Sequence, residues 1–179
     1  MAWTTPLTGV ANATLTAAQW NASVRDDLLM TAPALATAAG NFFVSTGANS
    51  LAQRIPVSDT VNTQQTTTST SYVALTTAGP TCASVVSDIR VMLFMTAQMN
   101  NSGANNESIA AAAISGATTA AADDNTGVDN QSASANSDVT CARIVRHTVT
   151  AGTNTFTMQY RVTAGTGAFR RRSMVALPF

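Results

Sequence analysis

Thr155-Phe156-Thr157-Met158-Gln159-Tyr160-Arg161-Val162 alternates without a slip. Phe156, Met158, Tyr160 and Val162 fall on one side, and Thr155, Thr157, Gln159 and Arg161 on the other. A period of two places successive side chains on opposite faces of a strand. The segment therefore reads as a β-strand with one face toward a core and one toward water. Upstream, Ile89, Val91, Leu93, Met95, Ala97 and Met99 repeat the pattern over the longest such run. Its other side carries Met92 and Phe94, also apolar, so this strand is expected at the centre of a sandwich or at a subunit contact. Further strands are expected at Tyr72–Thr77, at Cys82–Val86 after the Gly79-Pro80 turn, at Ser108–Ser115 before Gly116, at Val139–Val149, and at Ala168–Leu177 after Gly165-Thr166-Gly167. About seven or eight strands separated by turn signals describe a sandwich. No long amphipathic helix interrupts them, which argues against βαβ units. The expected fold class is mainly β: a C-terminal antiparallel, jelly-roll-like β-sandwich preceded by an N-terminal arm, a short helix and a β-hairpin.

The N-terminal part is built differently. Met1–Ala13 has Pro6 and Gly9 and no period, so it reads as an extended arm. Trp3 either folds back on the next element or inserts into a neighbouring protein, a role Trp often fills at interface centres. Leu15–Leu28, LTAAQWNASVRDDL, reads as a capped helix. Thr16 is the N-cap and Gln19 completes a capping box, with Leu15 and Trp20 at the positions of a hydrophobic staple. Ala17, Trp20, Val24 and Leu28 form one apolar stripe, and Ala18, Ala22 and Leu29 a second. So short a helix must dock on something to be stable. It is expected to end near Thr31 because Pro33 follows, with a second short helix possible over Ala34–Ala39. Phe42–Ser45 and Ser50–Ile55 read as a hairpin around Thr46-Gly47-Ala48-Asn49. Ser58–Ser71 is polar and threonine-rich and reads as a linker. The expected organisation is residues 1–57 as an anchoring segment, 58–71 as linker and 72–179 as the sandwich.

Three stretches carry a resemblance. Trp3-Thr4-Thr5-Pro6, Leu15-Thr16-Ala17-Ala18-Gln19, Asn21 and Arg25-Asp26-Asp27-Leu28 resemble the W-x-T-P…T-A-A-x-x-N-x-x-x-R-D opening of many tailed-bacteriophage virion proteins: head fibres, minor tail proteins and tail fibres. Gly9 stands where that family often has a second Trp, and Asp27 where it usually has Asn. The match covers about the first thirty residues. Asn41–Val57 is similar to a small β element of trimeric phage fibre stalks, with Phe42-Phe43 in place of an aliphatic pair. Ala151–Val162 resembles a strand pair of phage fibre and spike sandwiches. The resemblance implies a virion component assembled in the bacterial host cytoplasm, probed first as a capsid decoration or head-fibre protein and alternatively as a minor tail or tail-fibre protein that contacts the host surface. It implies a homotrimer, a major capsid protein or tail component as partner, and a host-surface glycan as a further possible partner. The anchoring interface is expected at Trp3, Pro6, Leu15, Trp20, Val24, Arg25 and Leu28. Subunit contacts are expected at Phe42, Phe43, Met92, Phe94, Arg170 and Arg172.

Composition narrows the function. Formal net charge is zero and 10% of residues are charged, so no nucleic-acid partner is advertised. All the basic residues other than His147 are arginine. Hydrophobic residues make up 45%, which with low net charge argues against disorder. No apolar run approaches the roughly eighteen residues of a membrane span, and no signal-peptide pattern opens the chain. Two reduced, buried thiols are expected at Cys82 and Cys141; a disulfide would need facing strands.

Candidates for chemistry are few. His147 is the single histidine, and a locally bonded sheet histidine is favoured over a general base. No G-x-S-x-G elbow and no C-x-x-C pair occurs. Asp123, Asp124, Asn125, Gly127 and Asp129 form an oxygen-rich loop whose spacing fails that of an EF-hand, so a solvated loop is favoured over calcium. Glu107, the single glutamate, has no evident partner for glycoside hydrolysis. The expectation is no enzyme, no cofactor and no metal. Arg170-Arg171-Arg172 is the sole basic run; alternation would point Arg170 and Arg172 one way and Arg171 the other. It reads as a solvated face, as pairing with Asp123, Asp124 or Asp138 of a neighbour, or as contact with an acidic capsid or glycan surface.

Overall fold

The computed structural model describes residues 8, 11–29, 31, 36–48, 50–87 and 90–179. Trp3 and Pro6 of the expected anchor, and Pro33, lie outside these residues. The chain divides into two compact units, Met1–Ile55 and Pro56–Phe179.

In the first unit, helix α1 (Ala17–Trp20) runs on through a π-helical segment, Asn21–Asp26, into Asp27 and Leu28. The capping box forms: Gln19 N donates to Thr16 Oγ1 at 3.2 Å, and Thr16 N donates to Gln19 Oε1 at 3.0 Å. The expected stripe assumed 3.6 residues per turn, whereas the π-helical turns over Asn21–Asp26 close i to i+5. Leu15, Trp20, Leu28 and Leu29 are 47%, 54%, 60% and 57% exposed, and Val24 is half-buried. Asp27 is buried instead. Ala36–Ala39 form coil and turn, so no second helix occupies the described part of that stretch. Strands β1 (Phe42–Gly47) and β2 (Ser50–Arg54) pair antiparallel as the expected hairpin, from Phe42 opposite Arg54 to Ser45 opposite Leu51. Phe42 and Phe43 are half-buried.

The second unit contains β3 (Val57–Val61), β4 (Gln65–Thr67), β5 (Thr81–Ser87), β6 (Arg90–Asn101), β7 (Glu107–Gly116), β8 (Val128–Gln131), β9 (Val139–Thr148), β10 (Gly152–Val162) and β11 (Gly167–Pro178). One sheet has the order β3-β11-β6-β9, with β4 also on β11; the other has β5-β10-β7-β8. All pairings are antiparallel. Counting β3 and β4 as one interrupted strand, this is the connectivity of a jelly roll. Val91, Leu93, Met95, Ala97 and Met99 of β6 meet Phe156, Met158 and Tyr160 of β10 in one core. Ala110 and Ala112 of β7 leave room for those larger side chains.

Two expectations are corrected here. Ser58–Ser71 is no linker: all of β4 and all but the first residue of β3 lie in it, and both strands pair with β11. Threonine is polar enough to read as a tether, but its branched Cβ equally suits an edge strand, and Val57, Asp59 and Val61 alternate half-buried with exposed neighbours. The sandwich thus begins near Pro56 rather than Tyr72. Tyr72–Thr77 in turn contributes a single bridge, Val73 to Tyr160.

The second correction concerns the arginine run. Arg170 pairs with Gln98 but Ser173 with Thr96, so Arg171 and Arg172 together face one residue of β6. Arg171 takes φ 47°, as a bulge residue does. The bulge sends Arg172 inward, opposite to Arg170, where it is fully buried. It is therefore unavailable as a subunit contact. Its Nη1 donates to Gly79 O at 3.1 Å and Thr77 O at 3.3 Å, and its Nη2 to Thr63 O at 3.2 Å. The guanidinium also stacks 5.1 Å from the centroid of the Tyr160 ring, and Tyr160 Oη donates to the same Gly79 O at 2.7 Å. Arg172→Ala is expected to destabilise the protein by roughly 3–5 kcal/mol, from the cavity and the orphaned carbonyls together. The midpoint of urea unfolding measures this, and Arg172→Met, which refills most of the volume, should cost less.

Candidate functional site

The described residues of the second unit offer one cluster of charged and aromatic groups at its surface. β10 presents Arg161 on its outer side, as the alternation requires. Beyond β7 the chain returns alongside it: Ala120 bridges Ile114, a 3-10 turn follows at Asp124–Thr126, and β8 resumes pairing. Asp123 caps that turn, its Oδ1 accepting from Asn125 N at 2.7 Å and Asn125 Nδ2 at 2.8 Å. The turn holds Asp124 over Arg161 and Tyr72. Tyr72 Oη donates to Asp124 Oδ1 at 2.6 Å, Arg161 Nε donates to the same oxygen at 2.8 Å, and Arg161 Nη2 donates to Oδ2. The guanidinium lies 5.7 Å from the Tyr72 ring centroid.

The electrostatics follow from these contacts. Hydrogen bonds from Arg161 and then Tyr72 hold the Asp124 carboxyl below the usual carboxylate range. Burial, then the bond to Asp124, pushes the Tyr72 phenol well above its ordinary value, so it stays protonated and donating. Beside the triad opens a polar depression of about 490 Å³, lined among others by Thr70, Ser71, Tyr72, Asp123, Asn125 and Arg161.

On the other side of the 3-10 turn lies a smaller cavity of about 320 Å³, between the sheets. Nearby, Arg143 of β9 ties that strand to the turn by donating to Gly127 O at 2.8 Å and Asn125 O at 2.6 Å. His147 lines it with Ile114, Ala120 and Thr126. Its Nε2 is buried without a hydrogen-bond partner, and its ring sits 5.9 Å from that of Phe156. Burial holds the imidazole below its ordinary pKa, so it is neutral near pH 7. A locally hydrogen-bonded sheet histidine is expected from the sequence; at Nε2 no such bond is made.

The remaining candidates are scattered. Arg170 donates to Gln98 Oε1 at 3.1 Å and Gln64 Oε1 at 3.0 Å, and its Nη2 pairs with Asp138 of its own chain. Asp124 is likewise held by its own Arg161, so the expected pairing of the basic run with a neighbour's acids is not needed to satisfy them. Met92 and Phe94 stand half-buried on the outer face of β6; Phe94 lies in register with Ile144, 61% exposed, and with Val175. Both cysteines are free. Cys82 is buried in β5, its thiol pushed up to about 11 by burial, while Cys141 in β9 is only half-buried. Among the described residues no group of three or more His, Cys, Asp or Glu gathers as a metal site. No described helix is long and apolar enough to cross a membrane. The Tyr72–Asp124–Arg161 cluster was not foreseen from sequence; Arg161, a lone charge in the outward row of an otherwise neutral strand, was its one visible signal.

No family model and no curated protein matches the chain. Solved structures with related coordinates include the Eiger TNF of S. frugiperda, at 11% identity and TM-score 0.46, covering 70% of this chain and 92% of that one. Infectious bursal disease virus, Gt strain, matches at 10% identity and TM-score 0.46, covering 75% of this chain and 35% of that one. The Gx strain of the same virus gives 11% and 0.42.

Two acid-sensitive contributions to stability are expected. Asp124 has a lowered folded pKa, so its contribution is complete above 3.8 and is lost as pH falls through the folded value. His147 also has a lowered folded pKa; below 6.5 the unfolded chain takes up a proton the folded one resists, and stability drops. Unfolding midpoints followed with pH should therefore fall below 6.5 in the wild type, and His147→Gln should flatten that part of the profile.

Proposed function

We propose that this chain is a non-enzymatic structural component of a bacteriophage particle, a capsid decoration or head-fibre protein. The N-terminal unit holds the particle and the jelly roll is displayed, most simply as a homotrimer. The observation that carries this reading is the bare helix. Its capping box is complete, yet Leu15, Trp20, Leu28 and Leu29 stay about half exposed or more, and none of its apolar residues is buried. A helix this short gains most of its stability from covering an apolar face. A partner surface would supply that cover, and the virion-protein opening falls on the same residues. Leu15, Trp20, Val24, Arg25 and Leu28 remain the proposed anchor, with Trp3 and Pro6 preceding them. Phe42, Phe43, Met92 and Phe94 are proposed subunit contacts; the apolar patch of Met92, Phe94, Ile144 and Val175 supports the last two.

The open polar depression beside Tyr72 favours a second reading, a minor tail or tail-fibre protein whose sandwich touches the host surface. Copy number separates the two. Hundreds per particle, counted by quantitative mass spectrometry, mean decoration; three or six mean tail. Deleting residues 1–30 is expected to abolish binding to particles that lack the protein, while circular dichroism still reports a folded β-domain. Particle binding that survives this truncation would remove the anchor from the proposal.

A further inference from the structure

We propose that the depression beside Tyr72 binds the neutral terminal sugar of a glycan. This deepens the display reading and rests on it only for where such a glycan would be met. Three observations converge. The depression is preformed: Tyr72, Asp124 and Arg161 fix one another, and the capped 3-10 turn fixes Asp123 and Asn125, without any ligand. Sites that bind small molecules tend to be arranged in advance in this way. Its chemistry is that of hydroxyl recognition. Carboxylate and amide oxygens accept from sugar hydroxyls, while the Asn125 amide and the Arg161 guanidinium donate to them. Tyr72, half-buried and with the Arg161 guanidinium over one face of its ring, is the one aromatic residue in the lining, and the C–H side of a pyranose would lie against the ring surface that Arg161 leaves uncovered. Its charge selects among sugars. Asp123 and Asp124 against Arg161 leave one excess negative charge, which disfavours sialic acid, uronic acids and phosphorylated sugars. An open, polar depression of about 490 Å³ accommodates one or two hexose units rather than a buried apolar ligand.

The test uses the full chain and chemical-shift mapping by NMR with galactose, glucose, mannose and N-acetylglucosamine, with sialic acid and calcium as controls. At least one neutral sugar is expected to bind with a Kd on the order of 1 mM, shifting the amides of residues 70–72 and 122–126. Tyr72→Ala and Asn125→Ala should each weaken that binding about tenfold or more, whereas Tyr72→Phe, which keeps the ring, should retain most of it. Thermal melts identify any variant that fails to fold, and Asn125→Ala, on an exposed turn, guards against that outcome for Tyr72→Ala. The proposal is overturned if no neutral sugar shifts these amides at tens of millimolar, if only sialic acid or calcium does, or if binding is indifferent to both alanine variants. Particle binding by Tyr72→Ala keeps the two readings apart: it should be unchanged even where the sugar is lost.

Discussion

A guanidinium sealed between two sheets constrains most of this fold. Unmet donors in a dry core are costly, and Arg172 meets most of its own. Both Nη atoms donate to carbonyls of Thr63, Thr77 and Gly79, three points on segments that connect strands rather than form them, and Nε alone is left without a hydrogen-bond partner. Because Tyr160 stacks on the same group and bonds the same Gly79, β11 of one sheet is tied to β10 of the other. Tyr160 in turn packs 4.8 Å from Phe169 of β11. Polar satisfaction and apolar packing thus converge on one spot.

The bulge at Arg171 makes this possible. Before it, the inward residues of β11 are odd-numbered, Gly167 and Phe169; after it they are even, Arg172, Met174 and Ala176. Without the extra residue, placing Phe169 in the core would put Met174 in water, since a slip of one residue reverses every side chain that follows. The distortion lets one long strand feed two differently phased halves into a single interior.

That change of phase also explains how far the sequence could be read. Strands with unbroken alternation, β6 and β10, are legible because burial on one face dictates their period. So is the Thr16–Gln19 capping box, a purely local arrangement. Arg172 was illegible, because an arginine run reads as surface until its partners are known, and those partners are backbone carbonyls that leave no mark in a sequence. β3 and β4 were hidden for a related reason: their pairing with β11 spans more than a hundred residues, and threonine suits tether and edge strand alike. The cluster around Tyr72 joins residues 72, 124 and 161, which only the jelly-roll connectivity brings together.

The rim strand β9 has a last consequence. It ends its sheet, ten residues long and paired along one side only. Such a border is a ready template for stacking further chains edge to edge. Arg143 is pulled across to the 3-10 turn, and Arg146 stands exposed along the same border. On a surface this poor in charge, two cations along one border are the kind of feature by which natural sheets blunt an open edge.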